Sequence, residues 1–203
     1  MPESVRECWG SEKKMKFVLT VGVSARHCHL TRETMDVLFG KGSELHKKKP
    51  ISQPGQFASE EQVKLVTAKG EMTFRILGPL RPYDQVELSL SEARKMGVKP
   101  VMRQSGDLED TPPMHLVGPK GEIDLPKGVI IAGRHIHLCP ATAAKYGLKD
   151  HDIVSLVVKG DRALRFDNVI VRAGETHADE VHIDTDEGNA CNVNTGDVME
   201  VVW

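Results

Sequence analysis

Aromatic residues are scarce: Phe, Tyr and Trp make up 4% of the 203 residues, whereas Gly (18) and Pro (11) are plentiful. With Val and Ile recurring in short runs, that composition disfavours a helical bundle and favours many short strands joined by tight turns. No apolar run approaches the ~20 residues of a transmembrane helix, so no membrane span is expected. The opening stretch MPESVRECWGSEKK lacks the apolar core of a secretory signal peptide. A surplus of either charge is also missing. The formal charge is −2, without the basic excess of a general nucleic-acid surface, although a local group of Lys or Arg suffices for a small anion. Cys8, Cys28, Cys139 and Cys191 form no CxxC pair and read as reduced thiols in a cytoplasmic protein. What remains, at 39% hydrophobic and 28% charged residues, is a folded globular chain long enough for one large domain or two small ones.

Residues 1–14 read as an appended tail, in which Val5, Cys8 and Trp9 could share one face of a short helix. KFVLTVGVS (16–24) is a buried strand by pattern. TRETMDVLFG (31–40) is a helix with Thr31 as N-cap, Met35, Leu38 and Phe39 as its apolar stripe, and Gly40 or Gly42 as its stop. A polar loop or small hairpin follows over 41–61, carrying Lys47, Lys48 and Lys49 on a solvated surface. Three β-like runs come next, separated by a Lys-Gly turn at 69–70 and a Gly-Pro break at 78–79, and then a short capped helix in SLSEARKMG. Residues 98–128 are rich in Pro and Gly with one strand candidate, HLVG; irregular stretches of such length are often functional. GVIIAGRHIHL reads as a single strand, CPATAAKYG as a helix, and the rest as further strands ending in ADEVHID and DVMEVVW.

Two short stretches share a shape: VSARHCHLT and AGRHIHLCP. Laid over each other, the halves of the chain match further. VKLVTAKGEMTFRIL falls on VSLVVKGDRALRFDNV, and QVEL on EVHI, so that Glu87 and His182 occupy equivalent places. The sequence thus reads as an internal repeat of two similar β units. Side chains at i and i+2 point to the same face of a strand, with Cα atoms about 6.6 Å apart. Two imidazoles so placed can reach one ion, and a third ligand from a neighbouring strand leaves a position open, as catalytic zinc sites require. The pairs are His27 with His29 and His135 with His137.

Other residues carry weaker signals. His46, His115, His151 and His177 sit in loop-like surroundings and read as surface residues. Cys28 should face away from its flanking histidines, and Cys139 reads as a packing residue. Arg26 and Arg134 precede each pair, and either contact an anion or pair with acids such as Asp84 or Asp184. Arg81 lies six residues before Glu87, an even count that puts both on one face if the strand is regular. An arginine beside a metal ligand is suited to fork onto a phosphate. RQSGD (103–107) is a Gly-containing turn that could hold an anion through Arg103, Ser105 and its backbone N–H groups.

VSARHCHLT, GPLRPYDQVELS, RQSGDLEDTP, AGRHIHLCP and EVHIDTDEGNA occur in this order from about residue 17 onward, and together they resemble the PduL-type phosphotransacylases (phosphate propanoyltransferases). The resemblance implies a mainly β fold of two small β-barrels capped by short helices and related by an internal repeat. Residues 15–24 and 133–203 would build the first barrel, interleaved with a second over 25–132, after an N-terminal extension over 1–14. It further implies two zinc ions, one held by His27, His29 and Glu87, the other by His135, His137 and His182. Arg81 matches the family's phosphate-contacting arginine, and Ser105 falls in its active-site loop. Two departures stand out: Cys28 replaces a commonly aliphatic residue and Cys139 a Ser or Thr, and neither removes a ligand.

The implied reaction is acyl-phosphate + CoA ⇌ acyl-CoA + phosphate, with a short acyl chain such as acetyl or propanoyl. CoA, acyl-phosphate and phosphate would be the partners, with no nucleic acid and no membrane. A homodimer, and contact with the shell or cargo of a bacterial microcompartment, are compatible with the resemblance. So is a location in the cytoplasm or inside such a compartment. Two alternatives stand beside it: a dinuclear zinc hydrolase, and a non-catalytic zinc-binding β-barrel module.

Overall fold

The computed structural model describes residues 15–203; the short helix conceived around Val5, Cys8 and Trp9 lies outside the described residues. In chain order the first part comprises β1 (Lys16–Ser24), β2 (His27–His29), α1 (Arg32–Phe39), β3 (Lys47–Pro50), β4 (Phe57–Thr67), β5 (Gly70–Gly78), β6 (Gln85–Glu87), α2 (Leu90–Met96), β7 (Met102–Arg103), β8 (Met114–Val117), β9 (Glu122–Leu125) and β10 (Val129–Ala132). The remainder comprises β11 (His135–Leu138), α3 (Pro140–Tyr146), β12 (Ile153–Val158), β13 (Leu164–Ala173), β14 (Glu180–Asp184), α4 (Thr185–Cys191) and β15 (Val198–Val202).

Six strands close into a barrel in the order β1-β14-β11-β13-β12-β15, and the others form a curled open sheet in the order β7-β10-β6-β2-β5-β4-β8-β9, with β3 on β4. Mainly β architecture with short helices and an internal repeat is therefore what the chain adopts, one barrel closed and its counterpart open. The repeat is visible in the pairing. β1 runs parallel to β14, β14 antiparallel to β11, β11 parallel to β13 and β13 antiparallel to β12. The series β10, β6, β2, β5 and β4 reproduces that sequence of senses. Each half thus contributes its leading strand, β1 or β10, to the opposite sheet.

Alternation along β1 buries Phe17, Leu19 and Val21 and exposes the residues between them, the pattern of a strand with one face on a core. Those residues join Ile136, Leu138, Leu156, Val171, Val181 and Val201 inside the barrel. A second core, around Leu30, Leu38, Phe74, Ile76, Val86 and Leu116, lies under the open sheet.

GVIIAGRHIHL is not one strand. Gly133 and Arg134 interrupt it, and β10 pairs with β6 and β7 while β11 enters the barrel. A continuous apolar run cannot show a change of sheet, because both pieces are buried and read alike. Residues 98–128 hold β7 and β9 as well as the expected β8, and so are more regular than their Pro and Gly content suggested. Of the loop and hairpin expected over 41–61 the chain forms the hairpin, with exposed Lys47–Pro50 paired antiparallel to β4.

The helices start as their sequences dictate. The Thr31 side chain accepts from the Thr34 N–H and Gly40 closes the helix at φ 97°. α2 and α4 open with reciprocal capping boxes, Ser89 with Glu92 and Asp184 with Glu187. A carboxylate from the residue just before β6 or β14 clamps the other two. Asp84 accepts from the Thr31 N–H at 2.8 Å and the Thr34 hydroxyl at 2.8 Å. Asp179 accepts from the Cys139 N–H at 2.7 Å and from the Thr142 hydroxyl. Asp84→Ala strands the donors at the start of α1. It is expected to lower the unfolding free energy by about 1–3 kcal/mol, read from urea denaturation; an unchanged midpoint would remove Asp84 from this role.

Candidate metal centre

Both His-x-His strands begin after a two-residue break, Ala25-Arg26 before β2 and Gly133-Arg134 before β11. The break supplies the first contact of the site. His27 Nδ1 lies 2.9 Å from the Ala25 carbonyl, and His135 Nδ1 lies 2.9 Å from the Gly133 carbonyl. A carbonyl only accepts, so Nδ1 carries the proton and Nε2 keeps a lone pair. Cys28 turns to the other face as expected: its side chain is fully buried, with Sγ 3.7 Å from the Arg75 carbonyl, and burial pushes its thiol up.

Cross-strand register adds the third member. β6 lies antiparallel to β2 with Glu87 opposite His27, and β14 lies antiparallel to β11 with His182 opposite His135. Directly opposed residues share a face. The structure therefore brings His27, His29 and Glu87 into one group and His135, His137 and His182 into another, the potential ligand atoms of each lying within 4.8 Å of one another. His27 Nε2 is 3.4 Å from Glu87 Oε2, and His29 Nε2 is 4.0 Å from Glu87 Oε1. In the second group the ring centroids are 4.6–4.9 Å apart.

The residues fit a divalent ion. The Nδ1 atom of His137 is buried without a hydrogen-bond partner, a costly state unless something else takes the lone pair or proton. Imidazole nitrogen and carboxylate oxygen are the donors of zinc and related ions. Charge is arranged to suit. Burial would push the Glu87 carboxyl up, but His27, His29 and His135 hold it well below the usual range. Burial lowers His27, but the charge and hydrogen bond of Glu87 outweigh it and the imidazole is raised. Burial, with His27 beside it, takes His29 to about 3, and burial with His182 takes His135 to about 3. His137 is lowered by burial and by its histidine neighbours. Register brings the two groups near each other: Gly22, five residues before His27, lies beside His182, and Ile130, five residues before His135, lies beside Glu87.

Arg81 does not share a strand with Glu87. β6 begins only at Gln85, and Arg81 sits in the loop before it. Its charge nevertheless reaches His27 and His29. It donates to the Tyr83 hydroxyl at 3.3 Å and to Gln56 Oε1 at 2.9 Å, both neutral, and forms no ion pair with a described carboxylate. Arg26 and Arg134 are tied down instead, by Glu92 at 2.6 Å and Glu187 at 2.8 Å rather than by Asp84 or Asp184. Ser105 reaches the first group through Gln85, whose Nε2 donates to Ser105 Oγ at 2.9 Å and to Glu87 Oε1 at 2.5 Å.

His177 is not the detached surface residue its loop suggested. It stacks on His137 with ring centroids 4.2 Å apart, its Nδ1 on the Arg172 carbonyl. His46 and His115 pair with acids away from both groups, and His151 is exposed. Cys139 occupies the N-cap position of α3 without a side-chain capping bond, its thiol donating to the Thr142 hydroxyl at 3.4 Å. Gln53, Gln85 and Glu180 escaped notice in the sequence. The overlay that equates Glu87 with His182 also equates Gln85 with Glu180, and that alignment was the signal available.

The sequence profile of the phosphate propanoyltransferase family matches residues 20–194. A phosphate propanoyltransferase of Thermotoga maritima is 49% identical over 200 residues, covering 98% of this chain and 95% of its own length. One from Rhodopseudomonas palustris is 47% identical, covering 91% of this chain and 82% of its own. One from Leptotrichia buccalis is 45% identical, covering 96% and 92%.

The depressed histidines predict how the metal-stripped protein responds to acid. His29 and His135 titrate at about 3 when folded against an ordinary 6.5, so the unfolded chain takes up their protons first. Stability is then lost as pH falls from 6.5 toward 3. His27 acts in the opposite sense: its contribution is complete below 6.5 and is lost as pH rises through its raised value. Each depressed histidine contributes up to about 1.4 kcal/mol per pH unit. The urea midpoint should drop between about pH 6.5 and pH 5, and His135→Gln should flatten the drop. A midpoint indifferent to pH would contradict the assignment.

Proposed function

The chain belongs to the phosphate propanoyltransferase family, an acyltransferase family, and from that membership we propose that it interconverts acyl-phosphate and CoA with acyl-CoA and phosphate at a dinuclear metal site. Propanoyl and acetyl groups are the acyl chains considered. One observation carries the reading: two three-residue groups of metal-ligand type stand on strands that each lie beside the strand leading into the other, with an arginine nearby whose charge no described carboxylate neutralises.

His27, His29 and Glu87 would hold one ion and His135, His137 and His182 the other, with zinc suited to both donor sets. When bound, such ions supply Lewis acidity, favouring the thiolate form of CoA and polarising a carbonyl or phosphoryl oxygen. In the acyl transfer the sulfur of CoA bonds to the acyl carbon and the bond from that carbon to the phosphate oxygen breaks. The thiol proton ends on the departing phosphate. Arg81 serves the charge that grows on that group, because its own partners are neutral and its guanidinium can fork onto two phosphate oxygens. The Ser105 oxygen already accepts from Gln85, which leaves its O–H free to donate to a substrate oxygen. Burial of His27, His29, Glu87 and His137, with His135 and His182 half-buried, limits the water that competes for these contacts.

A cytoplasmic location, free or within a protein-shelled microcompartment, is part of the same proposal. Cys28, Cys139 and Cys191 are free thiols, the state that a reducing compartment maintains. Among the described residues no helix is long and apolar enough to cross a membrane.

Phosphate release from propanoyl- or acetyl-phosphate should require CoA. Glu87→Ala and His135→Ala should abolish it, and Arg81→Ala should lower kcat/KM by about 100- to 1,000-fold, the scale of a lost oxyanion contact. Full activity in metal-free protein would sink the proposal. Acyl-phosphate consumption without CoA would favour the hydrolase alternative, and zinc binding without turnover a passive module.

A further inference from the structure

Two residues before each cross-strand ligand stands a side chain of complementary chemistry. Gln85 precedes Glu87 on β6 and Glu180 precedes His182 on β14, and residues so spaced share a face. Gln85 is wholly buried. Its Nε2 donates to Glu87 Oε1 at 2.5 Å and to Ser105 Oγ at 2.9 Å, and its Oε1 accepts from the Gly106 N–H at 2.8 Å. At the equivalent position Glu180 Oε2 lies 2.9 Å from His182 Nε2. A carboxylate only accepts, so His182 donates from Nε2 and keeps its lone pair on Nδ1.

Glu180 is itself held in place. The Ser52 hydroxyl donates to it, and so does Gln53 Nε2 at 3.2 Å. Gln53 is buried and fixed in turn by the Ala178 N–H and carbonyl, at 3.2 Å and 3.3 Å. The barrel also makes room for the carboxylate. Gly22 of β1 lies opposite His182, and a Cβ there would come within 3.0 Å of Glu180 Cδ and Oε1. Gly22 does not adopt the left-handed conformation that requires glycine, so this position is small for the sake of its neighbour.

We propose that Gln85 and Glu180 are positioning residues, each orienting one cross-strand ligand and together giving the two centres opposite character. The first centre has a carboxylate as ligand with a neutral amide behind it. The second has only imidazoles as ligands with a carboxylate behind them. Exchanging the two residue types is therefore harmful at either place. Gln85→Glu sets a second acid against Glu87 and removes the N–H that holds it. Glu180→Gln takes the charged acceptor from His182. This inference rests on the metal reading above.

The test is a zinc titration of stripped protein in competition with a chromogenic chelator. Wild type is expected to bind two equivalents. Glu180→Gln should weaken one of them by about 10- to 100-fold, the range for outer partners of metal ligands, and leave the other unchanged. Gly22→Ala, which crowds the Glu180 carboxylate without altering it, should do the same. Gln85→Glu should weaken the other equivalent. Repeating Glu180→Gln in His29→Ala, which leaves only the second centre, and in His135→Ala, which leaves only the first, assigns the effect; only the former background should respond. If both substitutions leave both affinities at the wild-type value, or each weakens both equivalents alike, the inference is wrong. A wild-type protein that binds no zinc would overturn the metal reading itself and this inference with it.

Discussion

The site depends on a break in the chain that occurs twice. Ala25-Arg26 and Gly133-Arg134 end one strand and begin another in the opposite sheet. Because of that exchange, β1 and β10 each lie beside the strand that carries the other half's cross-strand ligand. The break also exposes a carbonyl to the first histidine of each pair, fixing its tautomer. Strand alternation then places the second histidine, and antiparallel register places the third ligand. Few requirements are needed to bring six side chains from four strands together, which is why a duplicated unit can build the arrangement in both halves.

Duplication did not leave the two groups alike. Arg26 and Arg134 remain equivalent, each bound to the third helical residue of a capping box. Glu87 and His182 differ, Gln85 and Glu180 differ in the complementary sense, and the arginine whose charge reaches each group comes from a loop in one case (Arg81) and from β13 in the other (Arg172). Those differences would suit the transfer proposed above, between two unlike partners, a thiol and an anionic acyl-phosphate. Arg81, whose hydrogen-bond partners are neutral, lies in the half whose proposed ligand set already contains a carboxylate. Free Arg81 charge is thereby balanced locally without an ion pair that a phosphate would have to break.

Much of this was legible in the residues. Paired His-x-His motifs marked the strands, and the overlay placed Glu87 against His182, because period-two alternation and internal repetition are both local signals. Thr31 as an N-cap and Gly40 as a helix stop were equally plain. The change of sheet between β10 and β11 was not, since an apolar run reads the same whichever sheet receives it. His177 escaped because stacking on His137 depends on a loop path that no periodicity encodes. Gln85 and Glu180 carry no motif; their meaning lies in a hydrogen bond two residues along the same strand face. Arg81 was expected on the strand of Glu87 because an even residue count suggests a shared face, but the chain leaves Arg81 in the loop before that strand.

Anomalous X-ray scattering from crystals of the zinc-loaded protein, recorded on both sides of the zinc absorption edge, addresses the central claim most directly. Two edge-dependent peaks per chain are expected, one among His27, His29 and Glu87 and one among His135, His137 and His182. Peaks elsewhere, or none at either group in an active enzyme, would contradict the account.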